Sequence, residues 1–158
     1  MSLPMFLIDE PPSSVLIISQ PDHAATSAEI ARAWCRPDRF APAMWERFID
    51  AVRRHDDGWI DTELRPSLDS EGRPHDFKSI HTGDHVQHWR RGIDRASDDD
   101  LYIGLVVALH ARWLYTHVEQ GSVEEQQLAH KFVSYLTTRI DAMIRHLAAG
   151  TEAAAAAV

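Results

Sequence analysis

In the stretch AVRRHDDGW, residues 51 to 59, one imidazole and two carboxylates stand side by side at the end of an amphipathic segment. His55 continues the apolar face of that segment, because Phe48, Ala51 and Val52 lie seven, four and three positions before it. That phase points its ring inward. Asp56 follows about 100° further round a helix, so one ion at the helix end could take a nitrogen from His55 and an oxygen from Asp56. The plainer reading is that Asp56 or Asp57 ends the helix and His55 caps its carbonyls. Two carboxylates at a helix C-terminus oppose the dipole at a cost of roughly 0.3 to 1 kcal/mol each, a penalty that a bound cation reverses.

The other histidines divide by the faces they share. His110 lies on one face with Ile103, Val106, Val107, Trp113 and Leu114, which predicts a buried ring. A buried neutral imidazole needs a partner for each nitrogen, supplied either by a core hydrogen-bond network or by a metal. His23 shares a face with Thr26, Ser27, Ile30 and Trp34; taken alone it is a surface residue. His81, His85 and His88, in HTGDHVQH, are spaced four and three apart. The apolar face through Val86, Trp89 and Ile93 puts His85 on its border and leaves His88 as a solvated residue. His75, His117, His130 and His146 carry no special pattern, although His117 shares a face with His110.

Composition bounds the chemistry. The chain of 158 residues has a single cysteine and ten histidines, so a metal site must be built from imidazoles and carboxylates rather than thiolates. A formal net charge of −8 disfavours nucleic acid as a partner. No apolar run is long enough to span a membrane, and MSLPMFLIDE lacks the features of a signal peptide, so a cytoplasmic location is expected. Arg53, Arg54, Arg90, Arg91 and Arg112 are the basic concentrations, and two readings compete for them: holders of a small anionic substrate, or helix-surface ion pairs.

The elements that must position these groups are mostly helical. MFLID and VLIIS flank EPPSS and predict a small N-terminal β-hairpin. A first helix starts at Asp22, read as its N-cap, and ends near Pro37. A second runs from Pro42 to just before Gly58. Residues 59 to 80 have little periodicity and read as a long irregular connection, part of a lid. A third helix covers Gly83 to Ala96, and a fourth, LYIGLVVALHARWLYTH, follows Asp98, Asp99 and Asp100 and is apolar nearly all round, hence central. The last starts at Ser122, where Ser122 and Glu125 form a capping box. These elements make an all-α bundle of about five helices over residues 1–149, with residues 150–158 as a low-complexity, alanine-rich, frayed tail.

The order His23, then His55 and Asp56 in HDDG, then His110 in a later helix resembles the HD-domain superfamily of metal-dependent phosphohydrolases. More closely, LIISQPDHA, AVRRHDDGW, RPHDF, HWRRGID and VVALHARWLY, spread over residues 15 to about 117, look like a bacterial family catalogued as domain of unknown function 3891. The HD resemblance implies a compact HD-like bundle with His23, His55, Asp56 and His110 around one divalent ion. HD phosphohydrolases usually close the site with an aspartate from a late helix, but Asp141 lies roughly 120° off the apolar face of the last helix. Three histidines and one aspartate favour Zn, Mn, Fe or Ni over Mg. Adding His81 or His85 would resemble the di-iron HD-type oxygenases.

The leading expectation is therefore a hydrolase that acts on a small anionic substrate, such as a phosphate ester, through a metal-activated water. Arg53, Arg54 or Arg112 would bind the anion, and Asp57 would orient the water. A di-iron oxygenase and a metal- or ligand-binding module without turnover are the alternatives. In the plainest reading the histidines are core residues, and the Trp-rich helices form a homodimer.

Overall fold

The computed structural model describes residues 6–10, 14–34, 37–38, 40–65, 68, 70–72, 75, 80–117 and 121–156. Strand β1 (Phe6–Glu10) pairs antiparallel with β2 (Ser14–Ile18), Phe6 opposite Ile18 and Glu10 opposite Ser14. Everything else that is regular is helix, with five long helices accounting for the fold.

Helix α1 (Gln20–Ala33) starts one turn earlier than Asp22 suggests. Ser19 is the cap: its hydroxyl accepts from the Asp22 N–H at 3.0 Å, and Pro21 occupies the first turn, where a missing N–H costs nothing. Asp22 instead supplies a negative charge to that turn. Helix α2 (Pro42–Arg54) packs on α1 and ends at His55, whose backbone is still helical. The chain then tightens into a 3₁₀ turn (Asp57–Trp59) and a short helix α3 (Ile60–Leu64), where an irregular connection was expected. Nine of the 22 residues of that expected loop, including all of RPHDF except His75, lie outside the described residues.

Helix α4 (Thr82–Asp99) and helix α5 (Leu101–Thr116) meet at Asp100, which caps α5 by accepting from the Tyr102 N–H at 2.8 Å. The same carboxylate takes both arms of Arg47 from α2, at 2.5 and 2.8 Å, and this guanidinium holds it below the usual carboxylate range. One aspartate thus ties α2 to the α4–α5 corner. We expect Asp100→Ala to cost about 1 to 2 kcal/mol, chiefly from the lost cap, measurable by urea denaturation.

Helix α5 touches α2, α4 and α6 (Val123–Ala156), as its all-round apolarity predicts. Its Val107, Ala108 and Ala111 are fully buried and pack with Trp89 and Ile93 of α4 and Phe132, Leu136 and Ile140 of α6. Ser122 and Glu125 form the expected capping box, and α6 then passes through residue 150 without a break. No described helix is long and apolar enough to cross a membrane.

Candidate metal centre

The backbone sets the site through one close approach. At Gly58 the 3₁₀ turn lies so near α4 that an added Cβ would sit 1.9 Å from the His88 carbonyl oxygen, and Gly92 answers it from α4. Two guanidiniums clamp the turn there. Arg95 of α4 donates to the Asp57 carbonyl at 2.9 Å and pairs with Asp61 at 2.6 Å, while Arg54 bridges Asp57 at 3.1 Å and Asp99 at 2.7 Å. Asp57 stays above its ordinary pKa because burial outweighs these cations. Arg54 and Asp57, expected to act on substrate and water, are thus placed as braces of the turn that carries the site.

Held this way, Asp56 is 6% exposed and faces inward with His55. The His55 Nδ1–H donates to the Val52 carbonyl at 2.6 Å, which leaves Nε2 as the ring's other nitrogen, and Asp56 Oδ2 lies 3.1 Å from it. In a neutral ring this sets a lone pair against a carboxylate, so the pair requires a positive charge between its two atoms. A proton on Nε2 supplies one: burial pulls the imidazole down, but the Asp56 hydrogen bond and charge, with the Val52 carbonyl, carry its pKa above the ordinary value. A metal ion supplies the other. Bonds of 2.0–2.1 Å place neighbouring ligand atoms about 3.0 to 3.4 Å apart, a range that includes the observed pair. The Val52 bond also matches the way ligating histidines are oriented through their second nitrogen.

His23 is the third donor. Among the described residues, ligand atoms of His23, His55 and Asp56 lie within 4.8 Å of one another. α1 brings His23 here because Ala24 and Ala28, both fully buried, seat it against α2, and because Glu63 of α3, 1% exposed, accepts from the Gln20 N–H at 2.6 Å. Sequence reasoning passed over Glu63, whose position in a short aperiodic segment gives no signal.

His110 stands beside this group rather than in it, its ring edge-on to His55 with centroids 5.2 Å apart and its other neighbour Trp89 at 5.6 Å. Burial, then the neighbouring His55, hold its pKa below the ordinary value, so it is neutral and has a lone pair to offer. The three imidazoles line one cavity of about 360 Å³ between α1, α2 and α5. Its other walls are Phe48, Ala51 and Val52 on α2, Val106 and Val107 on α5, and Ser27 on α1.

His85 and His88 belong to a second cluster. His85 is hydrogen-bonded through Nδ1 to the Tyr115 hydroxyl at 3.0 Å and is held near pKa 4 by burial. His88 is not solvated: it is 3% exposed, stacked on Trp59 at 4.2 Å and hydrogen-bonded to the Thr62 hydroxyl. The Asp57–Leu64 segment covers a side of α4 that the apolar stripe alone leaves open. Trp113 departs the other way, 61% exposed on a face expected to be buried. Arg112 is half-buried on α5 and is not among the cavity walls, and Asp141 is exposed on α6.

A family model described as "Protein of unknown function (DUF3891)" matches residues 6–158. The chain belongs to this DUF3891 family. The match reaches from the first strand through α6, well past the residues that carry the resemblance in sequence. No match was found among curated proteins or among solved structures.

Proposed function

We propose that this DUF3891 protein is a metal-dependent hydrolase, with an HD-like donor set of His23, His55 and Asp56 holding one divalent ion and His110 completing the site. The observation that carries the reading is the His55–Asp56 pair, in which the Val52 carbonyl fixes the proton on Nδ1 and turns Nε2 to a carboxylate oxygen 3.1 Å away. A third candidate donor, His23, converges on the same spot. Two or three imidazoles with one carboxylate suit Zn, Mn, Fe or Ni.

When bound, such an ion supplies a Lewis acid that polarises a substrate oxygen and lowers the pKa of water. The protein's own part is orientation and proton traffic. Val52 and the buried position of Asp56 keep both donor atoms aimed without rearrangement. His110, neutral and at the cavity wall, accepts a proton from an attacking water on its free ring nitrogen and returns it to the leaving group. The walls from α2 and α5 surround the site with mostly apolar side chains. A single ion is the simpler reading, since the Nδ1 of His85 is engaged by the Tyr115 hydroxyl.

The test is metal content by mass spectrometry, with hydrolysis of chromogenic esters measured alongside. Wild type should hold close to one ion per chain after supply of Zn, Mn, Fe or Ni. Folded His55→Ala and Asp56→Ala should each lose metal at least tenfold, and ester hydrolysis with it. A folded wild type that takes up none of the four metals would end this reading.

A further inference from the structure

Each imidazole on the cavity wall has an apolar neighbour, and the charge beside them is negative: Asp56, 3.1 Å from the His55 Nε2, is a carboxylate that repels an anion. Beside His23, His55 and His110 stand Phe48, Val52 and Val106, with Ser27 contributing a hydroxyl; among the described residues that line the cavity there is no arginine, lysine, aspartate or glutamate. The cations that sequence spacing brings nearby are taken up elsewhere. Arg53 pairs with Glu29 at 2.6 Å, and Arg54 with Asp57 and Asp99. Along the same helix stripes, Ile30, three residues after Ser27, is 57% exposed, and Trp113, three residues after His110, is 61% exposed.

We infer that the cavity takes a small uncharged molecule with an apolar body, its one polar group directed at the histidines, rather than a phosphate ester. The inference rests on the metal-site reading for the placement of that polar group, and on the walls alone for the apolar body. A phosphate monoester brings two charges and three strong acceptor oxygens, which proteins satisfy with guanidinium, ammonium or rows of backbone N–H groups. Here a hydroxyl and three imidazoles, one of them already paired with the Asp56 carboxylate, are all the described walls provide, so most of its hydration would be lost without replacement. An aryl or branched alkyl group loses nothing by entering and gains by leaving water. The volume, about 360 Å³, is at the small end of ligand pockets and suits a body of one ring.

Benzyl alcohol and phenyl phosphate, similar in ring and size, separate the two cases. Both are titrated by protein-observed NMR into metal-free and metal-supplied wild type, and into Val106→Phe, which fills the cavity from its half-buried wall. Benzyl alcohol should bind metal-free wild type at least tenfold more tightly than phenyl phosphate, and Val106→Phe should weaken it at least tenfold in both forms. Val106→Lys, which adds an ammonium to the same wall, should shift the preference toward phenyl phosphate. Equal or tighter binding of phenyl phosphate to metal-free wild type would overturn the inference, as would benzyl alcohol binding that Val106→Phe leaves unchanged. Metal retained without benzyl alcohol binding removes this inference and leaves the metal site. Benzyl alcohol bound at Val106 by a protein that takes up no metal removes the metal site and leaves the apolar cavity.

Discussion

Replacing Gly58 by alanine should destabilise the protein by about 3 kcal/mol or more, the range of severe overpacking against an element that cannot move. The added methyl would stand 1.9 Å from the His88 carbonyl oxygen and 2.6 Å from its carbon, both backbone atoms in the middle of α4. No side-chain rotation relieves such a contact, so the 3₁₀ turn must lift from α4. Lifting it separates Asp57 from Arg95 and carries Asp56 out of the site. The expected result is therefore double: a fall in the urea midpoint, and weakened metal uptake in whatever fraction remains folded. Gly150→Ala is the control, because nothing lies within 4 Å of its added methyl and α6 continues through it. That change should leave stability equal or raise it by up to about 1 kcal/mol through helix propensity. Equal behaviour of the two variants would show that the turn is free to shift and that the glycine does not set the site.

The prominence of this glycine shows what the sequence could and could not disclose. Gly58 reads as a helix stop from its place after HDD, and the stop is real, since α2 ends at Arg54. Its larger role is to admit α4, and a contact between residues 58 and 88 has no local signature. His23, a surface residue by its own pattern, was joined to His55 and Asp56 only through the resemblance to HD phosphohydrolases, whereas the inward turn of His55 was legible because it lies on an amphipathic face whose phase sets its direction. His110 was legible for the same reason, but Trp113 was not. α5 is apolar nearly all round, so periodicity cannot say which side its neighbours leave bare. His88 failed in the opposite sense. The stripe of α4 gives the face turned to α5 and α6, whereas His88 is buried by the 3₁₀ turn and α3, segments of three and five residues that are too short to show a period.

Arginine placement was beyond reach for a related reason. Arg54 was visible as part of a basic pair, yet its partner Asp99 is 45 residues away and on another helix. Charge patterning within one helix fixes neighbours three and four apart and is silent on the rest. Arg54, counted as an anion holder, is in the fold one of the two struts, with Arg95, that press the site-bearing turn onto α4.

His88 gives the last prediction, a loss of stability in mild acid. Its pKa falls from the ordinary 6.5 to about 4, first because it is buried, then because Arg91 and His85 face it, with Asp61 opposing weakly. Between those two values the unfolded chain binds a proton on His88 that the folded chain does not. Stability from this residue is thus complete above pH 6.5, declines as the pH falls, and stops declining near pH 4, where both states are protonated. The slope is about 1.4 kcal/mol per pH unit for one proton, so the whole window is worth roughly 3 kcal/mol. The stacked Trp59 and the Thr62 hydroxyl leave the second nitrogen, Nδ1, buried with no partner, so nothing around the ring welcomes the charged form. His88→Gln cannot titrate here. It should cost about 1 to 3 kcal/mol at pH 7 through lost packing on Trp59, and yet show a shallower fall between pH 6.5 and 4, by close to one proton's slope. Urea midpoints at half-unit steps of pH, in wild type and variant, measure the difference directly. Parallel curves would mean that His88 takes its proton in the folded state as readily as in the unfolded one, and that the cover provided by the 3₁₀ turn and α3 opens to water.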